Sequence, residues 1–222
     1  SANVFARALG IDRDPIVATA QLIELLDAGS RRPISLGHTL NRWFLFNAGM
    51  GMDAIVVRRM EAKRRKGKRA TAQRYFFTTI SSFFSSAVTP PVFSVQVPDH
   101  EPIDGVRFGF VSNTGPWTYF GARPIETNPG TDFDHGLGVF AATSVGVLRN
   151  IVLGSKLLTG SDDPRAAHLF RDDDVEWVRF CGTEPADVQM DGDYLGKHTD
   201  LEFGCRRHVL HVAAAAPAAP PA

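Results

Sequence analysis

Asp191-Gly192-Asp193 places two carboxylates around what reads as a tight turn. A carboxylate within hydrogen-bond reach of a hydroxyl can take its proton, and paired acids can orient a metal or a substrate. On spacing alone, Asp-Gly is a hairpin loop and Asp193 an exposed strand carboxylate. Asp132, Asp134 and His135 beside Gly136 read as a polar loop held by Asp and Gly turn chemistry. Asp172-Asp173-Asp174, with Asp162 and Asp163, lacks the oxygen-ligand spacing of an EF-hand and reads as a solvated loop. His168, His198, His208 and His211 form no H-E-x-x-H array, and no Ser-His-Asp arrangement follows from spacing. A Walker-type phosphate loop and a G-x-G-x-x-G following a strand are both missing from the sequence.

The 222 residues are enough for one domain with a real core, at 44% hydrophobic and 22% charged. Lys plus Arg and Asp plus Glu number 24 each, which argues against a global electrostatic grip on nucleic acid. Cys181 and Cys205 are too few for a disulfide scaffold or a Cys-rich zinc module. No apolar run reaches the roughly 18 residues of a membrane span, and no secretory signal opens the chain. The first residue is Ser rather than Met, so a cut or processed chain is expected.

The charged side chains are unevenly spread. Arg58, Arg59, Lys63, Arg64, Arg65, Lys66, Lys68 and Arg69 lie within twelve positions, with Glu61 the one acid among them. This is either a solvated helix face or a contact for an anionic membrane, worth about 1 kcal/mol per well-placed base. A helix carrying Phe76, Ile80, Phe83 and Phe84 follows, stopped by Pro90 and Pro91.

These groups must be positioned by a largely antiparallel framework. A short helix runs from Ala2 to Leu9. A second is capped by Asp14, started by Pro15 and ended by Gly29, with Ile16, Ala20 and Ile23 on one face and Leu22, Leu25 and Leu26 widening the stripe. Strands are predicted over Pro33 to Leu40 and Arg42 to Phe46, then a glycine corner from Asn47 to Asp53, with Asp53 capping the next helix. Further strands follow at Val92 to Pro98, Val106 to Ser112, Gly138 to Ser144, Val175 to Cys181, Ala186 to Leu195 and Leu201 to Val212, with a helix over Val147 to Leu158. The predicted class is α+β, mainly an antiparallel β-sandwich with inserted helices. Ala213 to Ala222 is only Ala and Pro and reads as a disordered tail.

Several of these segments resemble the diacylglycerol kinase family, in the family's own order. Ser1-Ala2-Asn3-Val4-Phe5-Ala6-Arg7 is similar to the end of its Gly-(Thr/Ser)-x-Asn-x-(Phe/Leu)-Ala-Arg motif, with Val4 departing from the commoner Asp. Ile34-Ser35-Leu36-Gly37 with Arg42-Trp43-Phe44 resembles its strand pair, and Asn47-Ala48-Gly49-Met50-Gly51-Met52-Asp53-Ala54 its N-x-G-x-G-x-D-A corner. Val111-Ser112-Asn113 resembles its strand ending in Asn. Phe133-Asp134-His135-Gly136-Leu137-Gly138-Val139 is similar to F-D-D-G-L-x-V, and Met190-Asp191-Gly192-Asp193-Tyr194-Leu195-Gly196 to the D-G-E-x-x-G hairpin.

The resemblance covers residues 1 to 212 and implies the C-terminal, substrate-side domain of a two-domain lipid kinase. Residues 1–30 would link from an N-terminal nucleotide domain, 31–212 would form the β-sandwich, and 213–222 the tail. The implied reaction transfers the γ-phosphate of ATP, with Mg²⁺, to diacylglycerol or a related lipid alcohol. Asp193 would be the base, one methylene shorter than the family's Glu, and Asp191 a supporting carboxylate. Ser1 and Asn3 would edge the ATP site. Asp132, His135 and Leu137 would stand at a structural Mg²⁺ loop, where imidazole is a poor ligand for a hard cation.

The G-G-D-G-T half is absent from the sequence, so the chain alone is expected to be inactive. Partners implied are a lipid substrate and an anionic membrane surface, with a homodimer left open, at the cytoplasmic face of the inner membrane. A sphingoid-type lipid kinase and a non-catalytic lipid-binding or regulatory module are the alternative readings.

Overall fold

The computed structural model describes residues 3–51, 54–55, 58, 92–120, 123–143 and 168–216. Ser1, Asp53, the rest of the basic segment, the Phe-rich helix, the helix read over Val147 to Leu158 and residues 217–222 lie outside them.

Helix α1 spans Val4–Ala8 and α2 spans Pro15–Asp27. Asp14 caps α2 as its position suggests, its Oδ1 accepting the amides of Ile16 at 2.8 Å and Val17 at 3.3 Å. The apolar stripe does not pack inward, however. None of the α2 residues is fully buried, and Ile16, Ile23 and Leu26 are 80%, 54% and 63% exposed. Among the described residues, the helix packs on a buried cluster through Ala18 and Leu25.

Among the described residues twelve strands follow: β1 Arg32–Thr39, β2 Arg42–Phe44, β3 Asn47–Gly51, β4 Phe93–Gln96, β5 Ile103–Val106, β6 Phe108–Ser112, β7 Thr118–Phe120, β8 Arg123–Ile125, β9 Leu137–Ala142, β10 Leu169–Val175, β11 Trp177–Met190 and β12 Asp193–Val212. Ten form one sheet ordered β10-β9-β6-β3-β11-β12-β1-β2, with β4 joining β11 and β5 joining β4; β7 and β8 pair separately. Every pairing is antiparallel.

The sheet folds over on itself. Strands β10 and β12 stand five places apart, about 24 Å in a flat sheet. Yet Arg207 on β12 reaches Asp174 on β10 at 2.6 Å. Between the layers lies one core containing Phe44, Met50, Phe93, Val139, Phe180 and Phe203. This is the α+β, sandwich-like architecture expected from the pattern of elements.

Three expectations are corrected. Asn47 to Gly51 is a strand rather than a corner, because it runs between β6 and β11 with all five residues buried. The acidic run Asp172-Asp173-Asp174 belongs to edge strand β10 rather than to a solvated loop. The predicted run Val106 to Ser112 divides into β5 and β6. The Ala/Pro segment also begins packed: Ala214 is buried, and its carbonyl accepts the Ser30 hydroxyl at 2.9 Å.

Candidate functional site

Asp191 and Gly192 form the two-residue turn between β11 and β12, with Met190 facing Asp193. Both turn residues have positive φ, 49° and 88°, the geometry that matches the twist of a tight hairpin. Asp tolerates this region because its short polar side chain bonds locally to the backbone.

Here that side chain reaches across the fold. Its Oδ2 accepts the Leu45 amide at 2.8 Å, and its Oδ1 accepts those of Phe46 at 2.9 Å and Asn47 at 3.0 Å. The turn is open to solvent, while the carboxylate is drawn onto the amides. Desolvation pushes the Asp191 carboxyl up and the three amides pull it back, with the balance above its ordinary value. Three donors require an acceptor, so the ionised form fits this position. Asp191 therefore clamps the turn to the β2–β3 corner.

The same corner is held twice more. Gln189 donates from Nε2 to Asn47 Oδ1 at 3.0 Å and accepts the Gly192 amide on Oε1 at 3.0 Å. Asn113, wholly buried at the end of β6, donates from Nδ2 to the carbonyls of Ser35 at 2.8 Å and Leu45 at 3.3 Å. Its amide also donates to the Phe46 carbonyl at 2.8 Å. The sequence marks Asn47 and Asn113 but gives no sign of Gln189, because nothing short-range distinguishes a buried amide from an exposed one.

Asp193 stands in contrast. Its side chain is 69% exposed, and the nearest cation is the Arg42 guanidinium, 3.7 Å from Oδ2. The arrangement is a solvent-facing carboxylate beside Arg42, next to a turn held by three backbone amides. One face of the hairpin is also tied to Arg58, which follows β3 in the chain. Asp187, buried on β11, accepts the Tyr194 hydroxyl at 2.6 Å and pairs with Arg58 at 2.9 Å. Burial and the Asp187 carboxylate push the Tyr194 hydroxyl up. Arg58, the first base of the basic segment, is thus engaged within the fold.

Asn3 precedes α1 with φ of 51°, and its carbonyl accepts the Arg7 amide at 3.0 Å. α1 is seated by Phe5, edge-on to Phe133 at 5.4 Å, and by the Arg7 guanidinium over the Tyr119 ring. The Phe133 carbonyl accepts the Ser35 amide at 2.8 Å, and Ser35 in turn meets Asn113. A continuous set of contacts therefore runs from α1 to the Asp191 turn. Trp117, beside Tyr119, stacks on Phe110 with Phe140 beyond it, which is packing between strands.

Asp132 and His135 are paired with each other. Asp132 Oδ1 meets His135 Nδ1 at 2.6 Å and accepts the Asp134 amide at 2.8 Å. Leu137 opens β9, paired with Val175. Among the described residues no group of three or more His, Cys, Asp or Glu could hold a metal ion. The Asp132 carboxylate is engaged by His135 and the Asp134 amide, and imidazole is a poor ligand for hard Mg²⁺.

No family model matches the sequence, and no curated protein matches it. Solved structures do. Three chains from Bacillus anthracis str. Sterne bear the name diacylglycerol kinase, two of them provisionally. One shares 16% identity at a TM-score of 0.69, covering 96% of this chain and 66% of that one. A second shares 14% at 0.60, covering 96% and 63%. The third shares 16% at 0.65, covering 93% and 64%. The likeness establishes a shared fold, and this chain spans just under two thirds of each neighbour's length.

Proposed function

We propose that this chain is the acceptor-side domain of an ATP-dependent lipid kinase, acting on diacylglycerol or a related lipid alcohol. The observation that carries the reading is the locked hairpin: Asp191 fixes the turn, and Asp193 offers an open carboxylate beside it. The fold shared with chains named diacylglycerol kinases supports it.

In this reading Asp193 accepts the proton of the lipid hydroxyl as that oxygen attacks the γ-phosphorus of ATP, and ADP leaves. ATP with its Mg²⁺ would be brought by a phosphate-binding lobe, because the 222 residues hold no phosphate loop. Asn3 and Ser1 would edge that nucleotide site. The outward apolar stripe of α2 is our candidate for the surface such a lobe covers, since the neighbours have a further third of chain and this helix packs on little of its own. The basic segment beyond Arg58 would meet anionic headgroups.

The test is a panel of lipid alcohols with labelled ATP, run on the full gene product. Phosphorylated diacylglycerol or sphingoid base is the expected product, with turnover falling about 10²–10⁴-fold in Asp193→Asn. No transfer to any lipid alcohol, with vesicle binding retained, would overturn the kinase reading. It would favour instead a non-catalytic lipid-binding module, the reading supported by the missing phosphate loop.

A further inference from the structure

The loop from Asn128 to Leu137 carries Phe133, on which α1 rests, so what holds this loop also positions α1. Its backbone approaches β10 too closely for any side chain at one point: a Cβ on Gly136 would lie 2.5 Å from the Val175 carbonyl oxygen. Negative groups crowd the same place. Asp132 and Asp134 lie on the loop, with Asp172, Asp173 and Asp174 on the adjoining strand. Such a concentration needs positive charge or hydrogen-bond donors to be stable.

The protein supplies both from its own side chains and backbone. Asp134 Oδ2 pairs with Arg32 of β1 at 2.6 Å, where the Arg32 side chain is only 11% exposed. Arg207 of β12 donates to Asp174 Oδ1 at 2.6 Å and to the Asp134 carbonyl at 3.5 Å, spanning strand and loop. Asp174 Oδ1 also accepts the Gly136 amide at 2.6 Å. Asp173 takes the Thr131 hydroxyl at 2.6 Å and the Gly130 amide at 3.2 Å, and Asp172 pairs with His100 at 3.1 Å. Each acid has a separate protein partner.

Two irregularities in the sheet produce this. Between Asp172 and Val175, β10 has one residue more than β9 opposite it, and Asp174 there has φ of 61°. Ile34 and Leu36 of β1 face Leu210 and Arg206, so β12 carries two extra residues, and His208 among them has φ of 54°. Bulges of this kind re-aim side chains. One turns an acid and the other a base toward the same loop.

We propose that the guanidinium groups of Arg32 and Arg207 do the work of a divalent cation at this loop, which is therefore held without metal. The proposal is independent of the kinase reading. Its test is thermal unfolding of the 222-residue chain in excess chelator and in magnesium chloride, with Arg207→Gln, Asp174→Asn and the double variant. The expected midpoint is the same in chelator and in magnesium, within about 1 °C. Each single variant should melt lower by about 2–6 °C, and the double variant by less than the sum of the two. A saturable rise of roughly 5 °C or more with magnesium, the signature of a site filled well above its dissociation constant, would overturn it. So would an Arg207→Gln protein as stable as the parent. Arg207 is chosen for the cycle because it is half exposed, so its loss spares the core. Arg32→Lys, which keeps the charge but not the fork, should show a partial loss.

Discussion

The Asp191 carboxylate accepts the amide of Asn47 at 3.0 Å across 144 residues of sequence, joining the last hairpin of the fold to its third strand. Asp193, two residues on, makes no such bond and faces solvent beside Arg42. The two acids of one turn thus divide into an anchor and an exposed carboxylate.

This division gives the first prediction. Asp191→Ala leaves three amides without their acceptor and should cost about 2–4 kcal/mol. Asp191→Asn should cost less, about 1–2 kcal/mol, because one oxygen is kept while the new amine opposes the Leu45 amide. Asp193→Asn, on an exposed side chain, should stay within about 0.5 kcal/mol. Urea unfolding of the three variants reads all of this directly, and comparable losses at both positions would refute the division.

A second prediction concerns the seat of Phe44. The ring packs against the backbone of Gly37 so closely that a Cβ there would stand 2.0 Å from Cζ. Gly37→Ala must displace a ring that is wholly buried in the core, at about 1–3 kcal/mol. A lower melting midpoint is expected. An unchanged one would mean that the β1–β2 hairpin shifts as a unit.

Acid sensitivity supplies a third. Burial pushes the Asp174 carboxyl up, but the Gly136 amide and the Arg207 guanidinium outweigh it and leave it below its ordinary value. A carboxylate depressed in the folded state adds stability above its unfolded pKa. That contribution fades as pH falls through the ordinary carboxylate range toward the folded value. Denaturant midpoints measured from about pH 6 to about pH 2 should therefore decline less steeply in Arg207→Gln than in the parent. Parallel curves would remove Asp174 from the acid response.

A fourth prediction follows from burial at Cys205. Desolvation pushes its thiol up, and the thiolate is the reactive form. Alkylation at about pH 8 should therefore be slow at Cys205 relative to an unperturbed model thiol, and should accelerate as pH rises. Peptide mass spectrometry after timed iodoacetamide treatment measures it.

What the residues disclosed in advance was mostly local. Asp14 before Pro15 announced the start of α2, and Asp191-Gly192 announced the hairpin, because caps and turns are short-range chemistry. Strand β10 was hidden because its aspartates look like surface until the loop they hold is folded against them. Strand β3 was hidden because Ala48, Gly49 and Gly51 are poor strand formers, and both faces of the strand are buried by neighbours distant in sequence. Gln189 and the double duty of Asp191 depend on which segments meet, and no local pattern carries that information. On α2 the periodicity correctly marked an apolar stripe, but period alone does not say toward which side the stripe is turned.

The borders of the main sheet have a bearing on how copies of the chain behave when crowded. One border is β10, with three successive aspartates; the opposite one is β2, only three residues long; the side branch ends in β5, with four. Among the described residues none of these borders presents a long neutral ladder onto which another molecule could zip, which disfavours fibril growth from the folded state. Concentrated protein should instead cluster side by side through the greasy flank of α2, reversibly, and detergent should disperse such clusters.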